Sequence, residues 1–61
     1  MSEMYIDHIP TGERLSIKIT GMGIEFEAVV CEVKNIEHKF AELQNGEEIF
    51  HQDIEWYERK G

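Results

Sequence analysis

Phe40-Ala41-Glu42-Leu43-Gln44-Asn45-Gly46-Glu47-Glu48-Ile49-Phe50 is the stretch whose reading decides how this chain folds. It reads as two short strands about Asn45-Gly46, a dipeptide that favours tight reversal of the chain. Two registers compete. A two-residue turn pairs Leu43 with Glu48 and Ala41 with Phe50, which leaves Ile49 on the face opposite Leu43. A type I turn over Gln44-Asn45, with Gly46 as the left-handed bulge residue, pairs Leu43 with Glu47 and Ala41 with Ile49. Only the second gathers Ala41, Leu43 and Ile49 on one face and sets Phe40 against Phe50 on the other. A slip of one residue exchanges core for solvent at every side chain, so the bulged register is the one expected.

Outward from this hairpin the pattern stays that of short strands. Leu15 to Thr20 alternates apolar and polar residues without a break, the mark of a half-buried strand. Gly21-Met22-Gly23 turns the chain, the glycines allowing positive backbone angles. Ile24 to Lys34 reads as a longer strand whose phase changes partway: Ile24, Phe26 and Ala28 share one face, then Val29, Cys31 and Val33 the other. A bulge near Ala28-Val29-Val30 is expected, so that both sets face inward. Asn35 marks a turn, and Ile36 to Leu43 returns as the first arm of the central hairpin. His51-Gln52-Asp53 makes one helical turn, and Ile54 to Arg59 closes the sheet. Met1 to Pro10 has no period; Tyr5, Ile6 and Ile9 would pin it down as an edge strand or a fixed loop.

This succession, four or five short antiparallel strands with a single helical turn before the last, resembles the SH3-like small β-barrel domains of Tudor and KOW-type architecture. The resemblance covers residues 12 to 59 and lies in strand order and turn placement. It implies an all-β, SH3-like barrel forming one domain over residues 1–61, with residues 1–11 as an N-terminal arm packed on the barrel. It also implies a binding module.

The chain has 61 residues, near the lower limit for a self-supporting core. No apolar run approaches the ~18 residues of a membrane span, and no signal peptide is read at the start. The single cysteine, Cys31, rules out an internal disulfide framework and fits a reducing, cytoplasmic setting. Thirteen acidic against six basic residues give a formal charge of −7. That field repels nucleic acid and anionic lipid and favours a basic protein partner.

The groups able to do chemistry are few. His8, His38, His51 and Cys31 are the soft metal ligands, and no pair has ligand spacing. In the bulged register His38 falls opposite Gln52 and His51 opposite Lys39 on the other face, so no metal site is expected. Cys31, mid-strand among valines, reads as a buried, inert thiol. Glu25 with Glu27, and Glu42 with Glu48, make carboxylate pairs, but so short a chain has little room for a water-excluding pocket. No nucleophile triad, phosphate loop or cofactor fingerprint is present. The expectation is therefore no catalytic residues and no cofactor.

The aromatics and carboxylates carry the functional expectation. Phe40 and Phe50 either stack on the outside of the hairpin as an interface or are covered by the N-terminal ten residues. Either Trp56 or Tyr57 faces outward. The expected partner-binding set is Phe40, Glu42, Glu48, Phe50, Trp56 and Tyr57, on a non-catalytic acidic module that docks as an inhibitor or adaptor on a basic protein surface. Small acidic proteins of phages and mobile elements include such modules. A homodimer stays open. The competing reading is a nucleic-acid- or ribosome-associated barrel that uses Lys18, Lys34, Lys39, Arg59 and Lys60 on one side.

Overall fold

The computed structural model describes residues 4–60. The strands are β1 (Arg14–Ile19), β2 (Glu25–Cys31), β3 (Phe40–Leu43), β4 (Glu48–Ile49) and β5 (Ile54–Arg59), with a 3-10 turn at His51–Asp53 before β5. They form one five-stranded antiparallel sheet in the order β4-β3-β2-β1-β5. The chain is all-β, as its alternation implies, but the expected barrel does not close. Among the described residues no ladder joins β4 to β5. The chain enters the 3-10 turn after Phe50, which ends β4 at two residues.

The central hairpin adopts the bulged register. Ala41 faces Ile49, Glu42 faces Glu48, and the Leu43 N–H donates to the Glu47 carbonyl at 2.8 Å. The Gly46 N–H returns to the Leu43 carbonyl at 2.9 Å, with Gly46 at φ +90°. Burial decides this register, since Ala41, Leu43 and Ile49 all lie in the core.

Two expectations about phase are corrected. β2 carries no bulge: its rungs run unbroken from Lys18↔Glu25 to Arg14↔Val29 and on to Cys31↔Phe40. Phe26, Ala28 and Val30 point inward; Val29 and Cys31 point outward, and Val33 is exposed beyond the strand end. The bulge lies in β5 instead. Ile19 faces Ile54 while Lys18 faces Trp56, so Glu55 is the extra residue. That insertion lets Ile54 and Tyr57 both reach the core and turns Trp56 outward. β3 also starts later than expected, at Phe40. Asn35 takes a left-handed φ of 76°, and the Lys39 N–H goes to the Asp7 carboxylate.

The arm belongs to the core. Ile6 and Ile9 are 0% exposed and pack with Leu15, Ile17, Val30 and Ile54. The arm is tied at several points: the Met4 N–H donates to the His51 carbonyl at 3.3 Å, Lys39 Nζ donates to the Ile9 carbonyl at 2.7 Å, and the Lys39 N–H donates to the Asp7 side-chain Oδ1 at 2.9 Å. Gly12 and Glu13 continue the β1–β2 ladder by bonding to Val30. Expectations for Met1 to Glu3 fall outside the described residues.

Candidate docking site

The six residues expected to bind a partner do not form one patch. Phe40 and Phe50 meet with ring centroids 5.3 Å apart, as the register requires. Phe40, however, is only 3% exposed, and Phe50 is half-buried. Of the two alternatives for this pair, the outward stack is not formed, and the burial of Phe40 fits the covered one. Tyr5 lies close by, stacked on His51 at 4.3 Å and tilted against His38 at 4.7 Å, so the arm does reach this end of the hairpin. Trp56 and Tyr57 sit on β5, across the sheet from β4. Lys18 Nζ lies 5.3 Å from the Trp56 ring, a cation–π contact. Tyr57 packs against the core, its hydroxyl 2.9 Å from His8 Nε2.

The histidines depart from expectation. The register expects His38 and His51 on opposite faces, yet their rings lie edge to face at 4.9 Å. Alternation does not apply to them, because His38 precedes β3 and His51 is in the 3-10 turn. His38 Nδ1 also pairs with Asp7 Oδ2 at 2.7 Å. Burial pushes the Asp7 carboxyl up, but hydrogen bonds from His38 and the Lys39 N–H outweigh it and hold it below the usual aspartate value. Among the described residues no group of three or more His, Cys, Asp or Glu could hold a metal ion.

The basic residues of the competing reading are dispersed and mostly engaged. Arg59 is bound to Glu13, whose carboxyl that guanidinium holds low; Lys60 lies 3.8 Å from Glu27; Lys39 is committed to the arm. Lys34 is exposed in the β2–β3 connection.

What the fold does assemble is acidic. Strand alternation places Glu25 and Glu27 of β2, Glu42 of β3 and Glu48 of β4 on the face away from the core, with Val29 and Cys31 among them. Among the described residues Glu25, Glu42 and Glu48 have no ion-pair partner, while Glu27 is 3.5 Å from Arg14. Desolvation, then the nearby Glu42 carboxylate (Oε1 3.8 Å from Sγ), pushes the Cys31 thiol above its usual pKa, which suits an unreactive sulfur.

Beside these carboxylates the sheet opens. β3 meets β2 only as far as Ala28↔Leu43, because Gln44 already belongs to the turn, while β2 extends on to Glu25 beside β1 alone. The gap forms a groove of about 520 Å³. Ile19, Met22, Phe26 and Leu43 give it apolar walls, and Glu27 and Glu47 stand at its rim. A second hollow of about 270 Å³ shares Glu27, Leu43 and Gln44 with it and reaches Val29 and Glu42. Sequence reasoning missed this groove. Met22, apolar between two turn glycines and 53% exposed, was the signal available for it. Comparison of the chain with protein-family models, with curated proteins and with solved structures gives no match.

Proposed function

We propose that this chain is a non-catalytic, acidic protein-binding module that docks a basic partner at the notch between its two hairpins. The observation that supports this reading is one of placement. An apolar groove rimmed by Glu27 and Glu47 and a second hollow bordered by Glu27 and Glu42 lie side by side at the same gap between β2 and β3, with Glu25 and Glu48 on the same outer face. Apolar contact there would supply affinity, and Glu25, Glu42 and Glu48 would steer a cationic partner and reject acidic ones. The carboxylates sit on a solvent-facing strand surface, a setting for recognition and not for general acid–base work.

The test is affinity capture with purified wild-type chain, a Met22→Glu variant and a Glu42→Lys/Glu48→Lys variant, each checked for fold by circular dichroism. All three should fold, and both variants should lose the protein that wild type retains at low salt. Equal capture by all three forms would refute the reading.

A further inference from the structure

The geometry points to recognition by strand addition: an extended partner segment alternating basic and apolar residues lies along β2 at Glu25–Glu27, its apolar side chains in the groove and its basic ones over the outer carboxylates. This rests on the docking reading above and specifies its mode.

The Val30 N–H donates to the Glu13 carbonyl, and the Val30 carbonyl accepts from the Gly12 N–H, so Val30 presents its backbone groups toward the β1 side. Successive residues of an antiparallel strand present theirs to alternate sides. Ala28 and Phe26 therefore follow Val30, while the backbone groups of Glu27 and Glu25 point the other way, toward β3. β3 turns off here: its last rung, Ala28↔Leu43, is a non-hydrogen-bonded pair that still engages the Glu27 carbonyl with the Gln44 N–H, so the Glu27 N–H and both backbone groups of Glu25 are what face the gap. The strand thus offers an open stretch of edge inside the sheet, a ready template for another extended chain.

The side chains make the same case. A strand laid in the gap would send alternate side chains to the two faces of the sheet. On the inner face they meet Ile19, Met22, Phe26 and Leu43. On the outer face they lie beside Glu25 and Glu27 of β2 and toward Glu42 of β3. One face asks for an apolar group and the other for a cation, at the period of two that a strand supplies. A helix cannot satisfy both walls, since its side chains recur at 3.6 residues. A second copy of this chain is disfavoured as occupant by its own charge of −7.

The experiment uses the peptide acetyl-Lys-Leu-Lys-Val-Lys-amide and two N-methylated forms, one methylated at the lysines and the other at Leu and Val. Titrations are followed by ¹⁵N amide shifts and hydrogen exchange of the full chain. An amphipathic helical peptide of the same composition is the control. Strand addition slows exchange at the Glu25 and Glu27 amides. It also makes one methylation pattern bind about five- to tenfold more weakly per lost hydrogen bond while the other binds like the parent. If the extended peptide binds without amide protection, and both methylated forms match the parent, strand addition is overturned while acidic docking stands. Binding by the helical peptide alone has the same consequence. Silence from every peptide at millimolar concentration overturns strand addition and counts against the docking reading itself. Protection of these amides that rises with protein concentration alone overturns the proposal in favour of self-pairing.

Discussion

Replacing Ile6 by alanine tests whether the N-terminal arm is structural core or a dispensable tail. Ile6 is 0% exposed and packs with residues from the sheet, so truncation removes buried methyl and methylene groups and leaves a cavity. Buried Ile→Ala changes cost about 2–5 kcal/mol. A domain of 61 residues, at about 0.05–0.15 kcal/mol per residue, has only about 3–9 kcal/mol in total. The substitution should therefore remove about a fifth of the stability at the least, and most of it at the upper end. Because about 1 kcal/mol shifts the midpoint of so small a domain by roughly 4–8 °C, a loss near ~3 kcal/mol lowers Tm by roughly 12–24 °C. Val33→Ala, at a residue 48% exposed beyond the end of β2, is the control and should stay within about 0.5 kcal/mol of wild type. Urea titrations of the three proteins by circular dichroism give the comparison. A cost for Ile6→Ala below about 1 kcal/mol, with an unchanged m-value, would refute the arm's place in the core.

Gly46→Val should cost about 1–2 kcal/mol from backbone strain alone, because φ is +90° there and a new Cβ meets nothing within 4 Å; an unaltered thermal midpoint would refute the bulged turn. Asp7→Asn should destabilise the chain at pH 7, and the gap to wild type should close as pH falls below the ordinary aspartate value of 3.8. A carboxyl held low in the folded state stabilises above its unfolded pKa, and that contribution is lost as acid protonates it. A gap that stays constant from pH 7 to pH 3 in urea melts would dismiss the Asp7 clasp. Cys31 should react slowly with iodoacetamide at pH 8 and faster in Glu42→Gln, since that carboxylate disfavours the thiolate; equal rates in the two proteins would remove Glu42 as the cause.

How much of this was legible in the sequence follows from how local each signal is. The central hairpin was readable because its turn residues and its three core residues sit within nine positions and permit one register. The 3-10 turn and β5 were readable for the same reason, the latter with the boundaries Ile54–Arg59. β2 was misread: its outward valines and cysteine look like core in a linear pattern, and only the rungs to β1 and β3 show which face is buried. The bulge that the pattern assigned to β2 belongs to β5, where the pairing of Ile19 with Ile54 leaves Glu55 over.

The candidate site divides along the same line. Sequence alone established the acidic balance, the single cysteine and the opposition of Glu42 to Glu48, because charge is additive and a two-strand register is set by its own turn. Tertiary structure alone buried Phe40, drew His38 and His51 together, turned Tyr57 inward and opened the groove between Phe26 and Leu43. Each of these depends on contacts between segments far apart in the chain. A strand's own alternation names two faces but does not say which one another segment will cover, nor where a neighbouring strand will leave it.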